Sequence, residues 1–465
     1  MSGTLQASPG VAISPSSVKA TLPTNYITNF DFLNQYLPDT YEKEFERYGN
    51  RSIASFLRMV GAELPSNSDL IKWAEQGRLH TKYTSVTAVG ATGGDDSVTF
   101  DIGTGTCVFR IGQTVFLSNN ASASSAYKGI ITALPAADRF TVAFYNAGGI
   151  ATADTGATFT AFVYGSEFKK GSNGMSGSLE AQDSIFEVSP IIIKDKYVVS
   201  GSDMAQIGWV EVTTENGATG YLWYMKSEHE NRLRFEDYME MSMVEGVPAE
   251  TGSGAIAATG DLGNKGTKGL FYEIENRGNV WAGGNPSALA DFDTIVQRLD
   301  KQGAIAENAL FLNRQFSFDI DDMLAAQNSY GVGGTSYGLF DNSEQMALNL
   351  GFSGFRRGYE FYKTDWKYLN DATLRGGLVG GAVNGVLVPA GTTTVYDQVL
   401  GKNAKRPFLH VRFRASETEN RRYKTWMTGS AGGAATSDLD AMEVNLLTER
   451  ALCTLGANNF FIFKG

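Results

Sequence analysis

Three histidines, His80, His229 and His410, are the side chains best suited to acid–base or metal chemistry, and they fall in three different regions of the chain. None is followed by a second donor at a spacing such as H-x-x-x-H or C-x-x-C, which a tetrahedral site needs to gather ligands on one turn or helix face. A zinc or histidine-based catalytic site is therefore not expected. Cys107 and Cys453 are the only cysteines and stand far apart, so neither a disulfide framework nor a thiolate metal site is expected; both read as small buried hydrophobes. Asp319, Asp321 and Asp322 have the density of a calcium loop without its D-x-[DN]-x-[DN]-G order, and capping of the helix DMLAAQNSYG by Asp319 or Asp321 accounts for them better. The clusters GSNGMSGS, GVGG, RGGLVGG and GSAGG lack the GK[ST] of a phosphate loop and do not lie between a clear strand and helix. They are turns. A carboxylate-pair hydrolase needs no local motif, because its acids can come from distant strands, but no feature points to one. No cofactor is expected.

The elements that would position any such groups begin with a long helix. Tyr221 to Glu245, YLWYMKSEHENRLRFEDYMEMSMVE, has no Gly or Pro in a chain with 53 Gly in 465 residues. At about 1.5 Å per residue it spans about 37 Å, far longer than the usual helix of about 11–12 residues, so it can serve as the spine of a subunit. Met225, Glu228, Arg232, Phe235, Met239 and Met243 share one side, with Glu228 and Arg232 forming an i,i+4 pair. The other faces carry charges that include Glu236, Asp237 and Glu240, free for water or for other subunits.

The net charge of −11 argues against a protein whose main work is gripping a nucleic-acid backbone. Charged residues make up 19%, below the roughly 25% of ordinary soluble domains, which suits a surface partly covered by other chains. The N-terminus, MSGTLQASPGVAISPSSVKATLP, lacks the basic and apolar regions of a secretory signal, and no run of about 18 apolar residues suggests a membrane span. Its Ser, Pro, Thr and Ala read as an arm held from outside the subunit core.

Asn25 to Leu79 reads as helical, in the runs FDFLNQYL, TYEKEFERYG and DLIKWAEQG. From Ser85 to Val163 only 8 of 79 residues are charged, and short alternating runs between turn clusters predict an inserted all-β module. Within it GQTVFLS, YKGIITAL and DRFTVAFY follow the strand order of small SH3-like barrels. Ile191 to Val199, around Lys194, Asp195 and Lys196, reads as a strand or hairpin arm within a Gly-dense stretch, Gly165 to Met204, expected to be an extended loop that finds its partners on a neighbour. Gly246 to about Leu400 alternates helices and strands. KRPFLHVRFRAS then points Leu409, Val411 and Phe413 one way and Phe408, His410, Arg412 and Arg414 the other. Its arginines are read as pairing with acids such as Glu236, Asp237 or Glu240 of the same or a neighbouring subunit. Contact with packaged nucleic acid is the lesser alternative, since the strand has few aromatics to stack bases.

The order of these parts resembles the major capsid proteins of tailed bacteriophages, the Hong Kong 97 or Johnson fold. PSSVKATLPTNYITNFDFLNQYLPDTYEKEFERYGNRSIASFLRMVG and SPIIIKDKYVVSGSDMAQIGWVEV look most like capsid proteins of crAss-like phages. The resemblance implies an α+β capsid fold: N-terminal arm 1–23, helical region 24–84, inserted β-barrel-like domain 85–163, E-loop 164–206, P-domain with spine helix 207–245, A-domain 246–400, and P-domain C-terminal strands 401–465. It implies a non-enzymatic protein that assembles with copies of itself into the hexamers and pentamers of an icosahedral head enclosing double-stranded DNA. The expected partners are further copies, portal, scaffold and decoration proteins, and packaged DNA held only non-specifically, with no membrane. The expected location is the virion shell after synthesis in the host cytoplasm. Lys194, Asp195, Lys196, Glu228, Arg232, Glu236, Asp237, Glu240, Arg412 and Arg414 are the candidate inter-subunit contacts. A tail or fibre protein and a glycan-acting hydrolase are the alternatives; the absence of an internal repeat weighs against a fibre.

Overall fold

The computed structural model describes residues 52, 54, 56–57, 62–122, 125–179, 183–207, 211–213, 219–220, 222–255, 264–303, 305–328, 353–397, 402–433 and 435–465. The arm and most of the expected N-terminal helical region lie outside these. The chain divides into two compact units, one built on Asp195–Glu236 with Thr425–Leu446, the other on Ile53–Lys194, Asp237–Lys424 and Leu447–Gly465.

In the second unit the run DLIKWAEQG is not helical, which corrects the sequence expectation. After strand β1 (Ala62–Ser66), Ile71–Gln76 forms β2, facing inward at alternate positions. Lys, Ala, Glu and Gln favour a helix, but Ile71 and Trp73 bury their side chains only with a period of two, and tertiary pairing overrides weak propensity.

Six strands then close a barrel in the order β3-β4-β7-β6-β5-β8: β3 (Lys82–Val89), β4 (Ser97–Asp101), β5 (Gln113–Asn119), β6 (Ala126–Ala136), β7 (Arg139–Phe144) and β8 (Thr158–Ser166). Alternate residues fill its interior, among them Val86, Phe100, Val115, Leu117, Phe140, Val142 and Phe159, each fully buried. Phe100 meets Phe140 at 5.7 Å and Phe159 at 5.6 Å between ring centroids. Buried Asp154 ties the wall together by accepting from Asn119 Nδ2 at 2.8 Å and Tyr127 Oη at 2.5 Å. Gly149 has φ +54, and a Cβ there would lie 2.0 Å from the Asp95 carbonyl oxygen, so only glycine fits the turn. Because this core is separate from the others, a fragment of residues 82–166 is expected to express as a soluble domain with one cooperative thermal transition. A fragment without dispersed methyl resonances or a melting transition would show that the barrel depends on the rest of the chain.

Beyond the barrel come β9 (Asp183–Val188) and β10 (Ile191–Ser200), the short antiparallel pair β11 (Val212–Thr213) and β12 (Thr219–Gly220), then the long helix α1 (Trp223–Glu245). Phe235, Met239 and Met243 of the expected stripe are buried, whereas Met225 is 54% exposed, so the stripe is buried along only part of its length.

Helix α2 (Leu270–Arg277), β13 (Asn279–Trp281), α3 (Leu289–Gln302), β14 (Glu307–Leu312), α4 (Arg314–Asn328), β15 (Gly354–Arg357), β16 (Tyr359–Asp365) and β17 (Val383–Pro389) follow. Phe292, Ile295 and Leu299 give α3 one fully buried face, and Gly303 ends it in the left-handed conformation at φ +71. Asn313 caps α4, its Oδ1 accepting from the Phe316 N–H at 2.8 Å. The capping role expected of Asp319 or Asp321 is thereby corrected: both lie inside the helix, where Asp319 accepts from Asn285 Nδ2 at 2.6 Å and Asp321 pairs with Lys363 Nζ at 2.5 Å.

After the hairpin β18 (Thr392–Asp397) and β19 (Lys402–Pro407), the chain ends in β20 (Leu409–Arg414), β21 (Lys424–Gly429), the long β22 (Ala441–Thr454) and β23 (Phe461–Lys464). The six-stranded sheet runs β13-β23-β17-β14-β16-β15. NNFFIFK is the closing strand expected, and β23 lies between β13 and β17, because its run of Phe461, Ile462 and Phe463 can be buried only where both faces are covered. Leu310, Leu312, Phe461 and Phe463 face α3 and α4. Phe311, Val386, Val388 and Ile462 face α2, the end of α1, and Leu409, Val411 and Leu452 of a second sheet, ordered β1-β20-β22-β10 with β21 also beside β22.

Candidate functional site

The extended segment expected to reach a neighbour has partners in its own chain, which corrects that part of the reading. β9 pairs antiparallel with β2, placing Val188 opposite Ile71, Phe186 opposite Trp73, and Glu187 opposite Lys72 with its carboxylate 3.1 Å from the ammonium. Pro190, which has no N–H to give a ladder, separates this ribbon from β10. The ribbon is anchored by Arg277, whose guanidinium lies 3.9 Å from the Phe186 ring centroid. It also bonds Glu273 at 2.5 Å, Glu75 at 3.2 Å and the Thr454 carbonyl at 3.0 Å. Glu75 in turn accepts from Trp73 Nε1 at 2.8 Å and the Gly456 N–H at 3.0 Å. No sequence pattern pointed to Arg277, because Glu75 and Phe186 are remote in the chain.

β10 alternates, with Ile192, Lys194, Lys196 and Val198 outward. Lys196 pairs within the chain with Glu443 at 2.6 Å, so the expectation that this turn lacks an intrachain partner fails for Lys196. The hydrogen bond from Lys196, with a second from Thr428, holds the Glu443 carboxyl below its ordinary range. Asp195 accepts from the Lys196 N–H at 2.8 Å, and Lys194 is exposed with no ion-pair partner among the described residues.

On α1, Arg232 donates to Glu228 at 2.6 Å as the spacing predicted. Glu240 is 5% exposed and accepts from the Phe56 N–H at 3.1 Å, and Asp237 accepts from the Ala54 N–H at 3.2 Å. Glu240 thus satisfies its own chain's backbone instead of lying on a free face, whereas Glu236 is half-buried. Arg414 pairs with Asp69 and lies 3.7 Å from Glu449, not with the α1 acids that were expected. Arg421 also reaches Glu449 at 3.1 Å, and Glu63 holds Arg422 and, at 3.3 Å, buried Arg450. Arg412 is half-buried and joins none of these pairs.

His410, expected on the outward side of β20, is buried, with Nδ1 3.2 Å from the Pro407 carbonyl oxygen. Burial, aided by Arg412 and Arg406, pulls its pKa down to about 4. The unfolded chain therefore binds a proton near pH 6.5 that the folded chain refuses until about pH 4. His410 thus costs no stability above pH 6.5 and about 3 kcal/mol once pH has fallen to 4. Urea titrations from pH 7 to 4 are expected to fall less steeply for His410→Gln than for the wild type; equal slopes would contradict the burial argument. Burial likewise pushes the Cys453 thiol up to about 12, and Cys107 is raised for the same reason, so both behave as packing groups.

Among the described residues no three His, Cys, Asp or Glu side chains are grouped to hold a metal ion, and no helix is long and apolar enough to cross a membrane. Large apolar side chains on and around the β9–β10 segment remain open: Leu179 is 49% exposed, Ile185 70%, Ile192 52%, Val198 50% and Ile207 76%.

No family model and no curated protein matches the chain. Among solved structures, the chain is similar to one from Gordonia phage Cozz at 9% identity and TM-score 0.41, covering 98% of each chain. It is similar to one from Mycobacterium phage Ogopogo at 10% identity and TM-score 0.39, covering 94% of this chain and 99% of that one. A third structure is titled as the capsid of a native GTA particle, at 10% identity and TM-score 0.36, covering 93% and 95%. Likenesses this loose carry no argument about function.

Proposed function

We propose that the chain is a shell-forming structural protein, the major capsid protein of a tailed bacteriophage, building hexamers and pentamers of an icosahedral head around double-stranded DNA. The observation that carries the proposal is the outward row of the single strand β10, where Ile192 is 52% and Val198 50% exposed. A strand with an apolar outward row is suited to lie against a second copy. The residue-level resemblance of the N-terminal and β10 stretches to phage capsid proteins supports the same reading. In this proposal residues 164–206 act as the E-loop, 207–245 and the C-terminal strands as the P-domain, and 246–400 as the A-domain. Lys194, Arg232 and Glu236 remain proposed contacts between copies.

The double substitution Ile192→Asp and Val198→Asp tests this. Both side chains are half-exposed, so the unfolding free energy of the isolated subunit is expected to stay within about 0.5 kcal/mol of wild type. Sedimentation velocity is expected to show concentration-dependent large species for wild type and none for the variant. Identical profiles for the two proteins would remove the segment from the assembly interface.

A further inference from the structure

The dipeptide Asn-Gly occurs at Asn173-Gly174, Asn216-Gly217 and Asn384-Gly385. It is the pair most open to one intramolecular reaction, because glycine puts no Cβ between its own nitrogen and the preceding side-chain amide. Asn216 and Gly217 lie outside the described residues, and the fold treats the other two pairs oppositely. Asn384 is held. It sits in β17, between β14 and β23, and Gly385 is buried. Its Nδ2 donates to Asn285 Oδ1 at 2.7 Å, and its Oδ1 accepts from Asn313 Nδ2 at 3.2 Å. Asn173 is open. It follows a turn in which Ser172 donates to the Lys169 carbonyl from its N–H at 3.2 Å and from Oγ at 2.7 Å. The next tether is Gly177, whose carbonyl accepts from Arg110 Nη1 at 2.9 Å. Between these tethers Asn173 and Gly174 are exposed and make no hydrogen bond among the described residues. A Cβ added at Gly174 would meet nothing within 4 Å, so no wall hinders the approach of its nitrogen to the amide.

We propose that Asn173 is a site of spontaneous covalent modification, converting to aspartate and isoaspartate in the folded chain. In mild base the Gly174 nitrogen, its proton lost to hydroxide, attacks Asn173 Cγ. The new N–Cγ bond closes a five-membered succinimide, the Cγ–Nδ2 bond breaks, and the amide nitrogen leaves as ammonia with a proton from water. A second water opens the ring. Breaking the new N–Cγ bond leaves aspartate, whereas breaking the original backbone C–N bond leaves isoaspartate, whose backbone runs through Cγ and is longer by a methylene. Either product adds a carboxylate close in sequence to Lys169 and Lys170. The reaction needs only water and the folded chain, so the inference is independent of the capsid proposal.

The test is timed incubation of the purified full chain in mildly alkaline buffer, followed by trypsin digestion and mass spectrometry, with a zero-time digest as background. Cleavage after lysine and arginine gives peptides 171–194 and 376–402, whose sole asparagines are Asn173 and Asn384 respectively. Peptide 171–194 is expected to gain the mass of amide-to-acid conversion and to split into two chromatographic forms. Its rate is expected to be at least about tenfold above that of 376–402, whose amide reacts only after its hydrogen bonds and its strand have opened. Gly174→Ala has room for its methyl and no positive φ to strain, so it is expected to fold as wild type does and to lose most of the conversion. In urea the two wild-type peptides are expected to convert at similar rates. The proposal is overturned if 171–194 keeps its amide in the folded chain, if 376–402 converts as fast there, or if Gly174→Ala converts as wild type does. It is equally overturned if 376–402 stays slow in urea, since the contrast would then lie in the local sequence and not in the fold.

Discussion

Trp366→Ala is expected to destabilise the subunit by about 3–5 kcal/mol, enough to remove a large share of the stability of an ordinary domain. Trp366 is 1% exposed at the centre of the core between the two sheets. Its ring stacks on Phe56 at 4.4 Å and meets Tyr368 at 5.6 Å, Phe271 at 6.0 Å and Phe311 at 6.2 Å between centroids. Removing it opens a cavity lined by groups from the segment before β1, from α2 and from β14, which cannot close together. Its Nε1 is buried without a partner, so Trp366→Phe forfeits area but no hydrogen bond and is expected to cost clearly less than alanine. Denaturant unfolding of both variants checks the order; equal costs for Phe and Ala would mean that the indole is held by something other than packing.

Arg277→Ala is expected to cost a similar amount, about 3–5 kcal/mol, for an electrostatic reason. The substitution leaves Glu273, 4% exposed, near Glu75 with their shared cation gone, and breaking a buried pair from one side is far costlier than never having built it. It also uncovers Phe186 and frees the Thr454 carbonyl, loosening the β2–β9 ribbon. The triple change Arg277→Met, Glu273→Gln and Glu75→Gln is expected to recover part of the loss, because no uncompensated charge remains. Proteolysis of the ribbon with the fold otherwise intact would place the damage there, whereas unchanged unfolding of Arg277→Ala would mean that the clamp contributes nothing.

Legibility in the sequence followed the range of the interactions. The barrel was readable because each of its strands buries alternate residues between turn clusters, so the period of two is written locally from SVTFDI to RFTVAFY, whichever strand each one pairs with. The long helix was readable from its uninterrupted formers, and α3 from Phe292, Ile295 and Leu299. β2 was misread because its helix-forming residues speak for themselves, while the strand that claims it, β9, lies far along the chain. β23 was legible as a strand, but its partners β13 and β17 were not, for the same reason. Of the candidate contacts, the Glu228–Arg232 pair is local and was found. The Lys196–Glu443 pair, the burial of Glu240 and the isolation of Arg412 depend on which remote strands the fold brings together, and no spacing records that.

Assembly is the central claim, and negative-stain electron microscopy of the purified full-length chain tests it most directly. The account predicts capsomer rings, curved sheets or closed shells of uniform thickness at micromolar concentration. A field of monodisperse single subunits under every salt and crowding condition tried would contradict it.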